Sequence, residues 1–258
     1  MGENTFDIFV FSCLILGGFF ITAGAGALNQ ILEIAQDKKM TRTANRPLVQ
    51  GLISVPFAIG VAIIYSFLGM FFLYQLDFLV FIFGVLSLVL YAFVYTPLKK
   101  HTTWAVLVGA IPGAFPPILG YVAGTHTFNL TAGILFFVQF MWQFPHFWAI
   151  AWVSFADYQK ANYYLLPLPD GKTKENAFVI LIYTFMLIPA SLLLWIFPQH
   201  APFLSDTSAF LVAIMGLVFF YYAFQLYLHP NDQQARKLMF MSFVYLPIIQ
   251  ILYIFHHL

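Results

Sequence analysis

Residues 6–47 read FDIFVFSCLILGGFFITAGAGALNQILEIAQDKKMTRTANRP, an apolar run that ends in a packet of charge. A hydrocarbon core about 30 Å thick needs roughly 20 apolar residues in helical form, so residues 6–36 are long enough to cross one. The charged end is organised. Asn29, Glu33 and Asp37 are spaced four apart, so on a helix each step advances by only about 40° and the three share a face. Lys38, Lys39, Arg42 and Arg46 follow at once. Oxygen ligands suit Mg²⁺, which bridges carboxylates to substrate phosphates. The packet therefore sets acceptors for a divalent cation beside cations for phosphate, as a metal–diphosphate substrate requires. The basic residues also fit plain topological anchors. The acids are harder to read that way, because carboxylates at such depth are costly and usually functional.

The rest of the chain repeats the first pattern. Of 258 residues 62% are hydrophobic and 8% charged, with mean hydropathy +0.86; soluble domains carry about 25% charged residues. Eight segments are long enough to span: 6–36, 53–74, 78–96, 104–123, 129–155, 175–197, 207–228 and 237–256. Barrel strands would be about 10 residues long and alternating, whereas these runs are long and continuous. The expected fold is all-α, a polytopic transmembrane bundle forming one domain over residues 1–258.

All eleven Lys and Arg fall in four places: 38–46, 99–100, 160–174 and 236–237. These are alternate connections, and those around Gln75–Asp77, Gly124–Asn129 and Pro198–Asp206 have none. The positive-inside rule puts the basic loops in the cytoplasm, which for eight spans leaves both termini on the far side; the acidic Glu3 and Asp7 agree. The start lacks a basic n-region, so a cleaved signal peptide is not expected. Cys13 is alone, which excludes an intramolecular disulfide and a thiolate cluster.

Two further stretches are polar where lipid would favour apolar residues. In WQFPHFWAIAWVSFADYQKANYYLLP (142–167), Pro145 allows a kink around a cavity, with Gln143 and His146 beside it. His146 reads either as a hydrogen-bonded structural residue or as a ligand. Asp157 reads either as part of a second metal site or as a solvated helix-end acid, with Lys160 next to it. Tyr95-Thr96-Pro97-Leu98-Lys99-Lys100 precedes GAIPGAFPPILGY, whose small residues and prolines fit either helix packing or the bent wall of a lipid-sized cavity. The other histidines, His101, His126, His200, His229, His256 and His257, show no metal-ligand spacing, and no nucleotide-binding Gly loop is present.

Four blocks, NQILEIAQDKKMTRTANRPLVQG, YTPLKKHTTWAVLVGAIPGAFPPILGY, WQFPHFWAIAWVSFADYQKANYYLLP and ARKLMFMSFVYLP, together resemble the UbiA-type intramembrane prenyltransferases. Within them, WQFPHF followed by ADY resembles the heme O synthases rather than the quinone-making relatives. The resemblance runs from Phe19 to Pro247, with the blocks in family order. It implies farnesyl diphosphate held through Mg²⁺ by Asn29, Glu33 and Asp37, with Asp157 contributing. Lys38, Arg42, Arg46, Lys99 and Lys160 would neutralise the diphosphate, and His146 would contact heme or steer the added water. The acceptor would be heme B, the product heme O, the setting a bacterial inner membrane, and a heme A synthase the next partner; nucleic acid has no place in it. Rival readings are a transferase acting on an aromatic quinone precursor and a non-catalytic heme or lipid carrier in oxidase assembly.

The chain departs from the pattern in two ways. Family members generally have nine spans, the first with a Lys-Pro-Arg-like sequence, and residue 1 lies at the start of what matches the second. A family helix is then expected to be missing at the front, through a misplaced start codon or a truncation. Ala156 stands where paired acids often precede the Tyr, and Asn162 where a Gly commonly follows Lys-Ala, which weakens the expected second metal site.

Overall fold

The computed structural model describes residues 6–197 and 204–254. Glu3, His200, His256 and His257 lie outside them. Among the described residues there is no strand, and eight helices are long and apolar enough to cross a membrane. They are α1 (Ile8–Leu32), α2 (Val55–Tyr74), α3 (Phe78–Leu98), α4 (Ala105–Thr125), α5 (Leu130–Val153), α6 (Lys174–Ile196), α7 (Asp206–Leu228) and α8 (Asp232–Ile254). Phe19, Phe67, Phe71, Phe210 and Phe240 are exposed on their outer faces. Such a skin of large apolar side chains is stable only against lipid, and the chain is an integral membrane protein.

The ends of the spans follow local chemistry. Asp7, Ser54, Asp77, Asn129, Thr173 and Ser205 cap α1, α2, α3, α5, α6 and α7, each accepting from a backbone N–H of the first turn, as N-cap residues do. Two boundaries differ from the expectation. The last span begins at Asp232 rather than residue 237, because Asp232 in the first turn complements the positive helix end and the polar DQQARK turn can sit outside the apolar core. The first span ends at Leu32, and after Glu33 (φ −108°, ψ 10°) a separate one-turn helix, Ile34–Asp37, continues the path.

The helices form two groups that meet at α4 and α5. One apolar core joins α1 to α4 through Ile21, Leu73, Val80, Phe115 and Ile118. The other fills the space among α5 to α8 with Trp152, Ile180, Leu187, Phe219, Leu238 and Tyr245. Between α1 and α2 the backbones touch. A Cβ on Gly69 would lie 2.7 Å from the Ile21 nitrogen, and one on Gly24 2.6 Å from Ser66 Oγ, so small residues set this helix pair's approach.

Three contacts join the α1–α2, α3–α4, α5–α6 and α7–α8 connections at one end. Glu33 meets Lys99, Asp157 meets Arg42, and Lys172 Nζ lies 2.5 Å from Asp232 Oδ1. The basic loops thus form one surface, with the Asn29–Asp37 stretch beneath it.

Candidate active site

α1 delivers Asn29, the residue that caps its end is Glu33, and the one-turn helix delivers Asp37; all three are buried. Asn29 and Glu33 meet directly, as Asn29 Nδ2 donates to Glu33 Oε2 at 2.9 Å. The same amide donates at 2.9 Å to Thr96 Oγ1 on α3, whose hydroxyl in turn donates to the Tyr91 carbonyl at 2.9 Å. That carbonyl belongs to a π-helical turn, Leu90–Tyr95. Such turns leave the regular ladder and often mark functional sites.

Two groups converge on Glu33 Oε1. Lys99 Nζ lies 2.6 Å away, and the Tyr163 hydroxyl donates at 2.6 Å. Lys99 is itself buried, with its ammonium 4.9 Å from the Tyr95 ring centre and 5.1 Å from that of Tyr163. Burial lowers the Lys99 pKa from its ordinary value, and the Glu33 charge works against that shift. For Tyr163, burial comes first and the Glu33 bond second, and both hold its hydroxyl well above the usual tyrosine range. It therefore remains a donor.

Asp37 is more open to a ligand. Arg46 Nη1 takes Oδ2 at 2.5 Å, while Oδ1 is buried with no hydrogen-bond partner. A buried carboxylate oxygen without a protein partner is costly, and a water, an ion or a ligand can satisfy it. Lys38 and Arg42 are exposed on the loop that follows.

Asp157, on the short helix Phe155–Lys160, does not join this group. Its Oδ2 accepts from the Arg42 backbone N–H at 3.1 Å, and its Oδ1 from Lys160 Nζ at 2.9 Å. Lys160 also donates to Thr41 Oγ1 at 2.8 Å. The Lys160 bond, ahead of those from Arg42 and Thr41, holds the Asp157 carboxyl well below the usual range. Among the described residues no three His, Cys, Asp or Glu side chains are grouped closely enough to hold one metal. Glu33 and Asp37 are thus the adjacent acids, and Asp157 fastens one basic loop to another.

His146 also lies apart, between α5 and α8. Its ring stacks on Trp142 at 4.4 Å, and its Nδ1 is 2.8 Å from Ser242 Oγ. The Ser242 hydroxyl already donates to the Met239 carbonyl at 2.5 Å, so His146 Nδ1 is the donor to Ser242.

A cavity of about 170 Å³ opens between α3, α4 and α5, with Tyr95, whose ring lies under the Lys99 ammonium, in its wall. Its wall includes Tyr91, Tyr95, Tyr158, Phe147, Ile150 and Gly109. A Cβ on Gly109 would stand 2.7 Å from the Tyr95 ring, so glycine lets α4 close on that wall.

Tyr163 was not evident from spacing. Its neighbour held the one available signal, since Asn162 has φ +58°. Asn occupies this left-handed region more readily than most residues other than Gly. That backbone geometry makes the turn that aims Tyr163 at Glu33, and Tyr164 N–H anchors the same turn to the Lys99 carbonyl at 3.1 Å.

Residues 2–244 match the model of the UbiA prenyltransferase family. A protein of Cytophaga hutchinsonii named protoheme IX farnesyltransferase is 43% identical over 241 residues, covering 93% of this chain and 83% of that one. One of the same name from Flavobacterium psychrophilum is 42% identical, covering 97% and 83%. In fold, the chain is similar to a digeranylgeranylglyceryl phosphate synthase structure (TM-score 0.80, 20% identity, 98% and 88% covered). It is also similar to a UbiA homolog from Archaeoglobus fulgidus bound to GPP and Mg²⁺ (TM-score 0.69, 13% identity, 97% and 89% covered). Buried acids paired with cations, in a bundle with eight membrane-length helices among the described residues, agree with that match, and the chain belongs to the UbiA prenyltransferase family.

Proposed function

We propose that this chain transfers the farnesyl group of farnesyl diphosphate to a vinyl group of heme B, giving heme O. The orphaned Oδ1 of buried Asp37, beside Glu33 and within reach of Lys99 and Arg46, carries the diphosphate half of this reading. The acceptor half rests on the relatives named protoheme IX farnesyltransferase.

The donor set fits Mg²⁺, since it is all oxygen, carries two carboxylates, and leaves one carboxylate oxygen without a protein partner. Asn29, Glu33 and Asp37 would hold the ion, which when bound withdraws charge from the diphosphate and improves it as a leaving group. Arg46, Lys99, Lys38, Arg42 and Lys160 supply the remaining positive charge. The bond from farnesyl C1 to oxygen breaks and its electron pair leaves with the diphosphate. The vinyl π-electrons then close the new carbon–carbon bond, and water adds to the resulting cation with loss of a proton. Tyr91, Tyr95, Tyr158 and Phe147 line the cavity where the allylic chain would lie, and their faces stabilise positive charge. His146 is the residue we assign to the heme or to the water. Asp157 holds the Arg42 and Lys160 loops over the site.

The basic loops face the cytoplasm of a bacterial inner membrane in this reading, and heme O passes to a heme A synthase. Membranes containing the chain are incubated with farnesyl diphosphate and Mg²⁺, and with heme B or 4-hydroxybenzoate as acceptor. Heme O from heme B and no product from the benzoate is expected; the reverse overturns the acceptor assignment.

A further inference from the structure

Each buried acid of the site, like Asp157 outside it, is already paired with a cation of this same chain. Lys99 sits 2.6 Å from Glu33, Arg46 2.5 Å from Asp37, and Lys160 2.9 Å from Asp157. Lys99, Arg46 and Lys160 are also the cations that the metal–diphosphate reading places on the diphosphate. Neither ligand can then bind fully alone. A metal ion arriving by itself must compete with an ammonium and a guanidinium for the carboxylates. A diphosphate arriving by itself must draw those cations away and leave Glu33 and Asp37 as buried anions without a counterion, which is strongly unfavourable.

The pairs are built for exchange. Lys99 and Tyr163 share Oε1 of Glu33, and Asn29 holds Oε2. When Lys99 leaves, two neutral donors still fix the carboxylate. Arg46 covers only one oxygen of Asp37, and the other is buried and unpartnered. A purely structural ion pair at that depth would have both oxygens satisfied.

We propose that Lys99 and Arg46 are exchangeable counterions that couple metal binding to diphosphate binding. They neutralise Glu33 and Asp37 in the resting site and move to the diphosphate oxygens when the metal takes the carboxylates. Tyr163 is the positioning residue that keeps Glu33 in place during the swap. The charge balance is kept at both ends, and no covalent bond changes. This rests on the metal–diphosphate reading of the site and is independent of the heme acceptor.

The test uses the full chain in lipid nanodiscs, with Mn²⁺ as metal probe read by electron paramagnetic resonance and labelled inorganic pyrophosphate as anion probe. Lys99→Met and Arg46→Met are each expected to raise affinity for Mn²⁺ alone by about tenfold, and to weaken pyrophosphate binding in the presence of Mg²⁺ by about tenfold or more. Opposite movement of the two affinities is what a structural role cannot produce. Arg46 is 30% exposed, so its variant carries the test if Lys99→Met does not fold. Unchanged or lowered Mn²⁺ affinity in Arg46→Met and in any folded Lys99→Met overturns the proposal. Wild type that binds no pyrophosphate with Mg²⁺ refutes the metal–diphosphate reading itself, and the exchange falls with it. Failure to make heme O touches neither measurement.

Discussion

The Tyr163 hydroxyl donates a 2.6 Å hydrogen bond to Glu33, tying the end of α1 to the turn after α5 across 130 residues. It joins the two helix groups at the site itself, where an acid must be held at fixed position in low dielectric. Tyr163→Phe removes one donor to a buried carboxylate and is expected to cost about 2 kcal/mol of stability. Denaturant unfolding in detergent, followed by tryptophan fluorescence, measures it. Turnover is expected to need several-fold more Mg²⁺ for half-maximal rate in this variant, about the effect of losing a residue that orients a metal ligand.

Asn162 makes that contact geometrically available through φ +58°. Asn162→Gly is expected to be neutral, whereas Asn162→Val places a β-branched residue in the left-handed region at a cost of about 1–2 kcal/mol. Comparing the melting temperatures of the two variants checks this. The valine variant is also expected to lose most of its turnover, because Tyr163 and the Lys99 carbonyl contact shift together.

Asp157 links Arg42 and Lys160, and its folded pKa lies below the unfolded value of 3.8. A depressed carboxylate pKa gives stabilisation that is fully present above the unfolded value and is lost only as pH falls through the folded one. The loop at residues 38–53 is therefore expected to resist proteolysis equally at pH 7 and pH 5. Asp157→Asn weakens the latch at both, and limited trypsinolysis at Arg42 or Lys38 should run faster by about threefold to tenfold.

Gly69 packs against the Ile21 backbone nitrogen, where a Cβ would come within 2.7 Å. Gly69→Ala must push α1 from α2, and α1 carries Asn29 and is capped by Glu33. The expected loss is about 1–3 kcal/mol, with reduced turnover at unchanged protein level. Gly60 has open space around it, and Gly60→Ala is the matched control.

The bundle was legible in the sequence because membrane physics writes it in long apolar runs and in cations confined to alternate connections; the observed spans follow that division. The Asn29, Glu33 and Asp37 group was legible for the same reason, since acids at that depth stand out. Which cation answers which acid was not. Lys99 and Arg46 looked like diphosphate ligands, and their positions on Glu33 and Asp37 depend on the end of α3 and the α1–α2 loop both folding over the end of α1. Tyr163 was hidden among fourteen tyrosines, because its partner is 130 residues away. Asp157 looked like a second metal ligand by resemblance, whereas in the resting fold its oxygens are spent on Arg42 and Lys160.

The most direct measurement is Mg²⁺-dependent heme O formation by membranes containing wild type, Glu33→Gln or Asp37→Asn, at matched protein levels and with farnesyl diphosphate and heme B supplied. Wild type is expected to form heme O, and each variant to lose at least about a hundredfold in rate, the order of loss for removing electrostatic stabilisation from a reacting centre. Variants that form heme O as fast as wild type would contradict the role given to the buried acids.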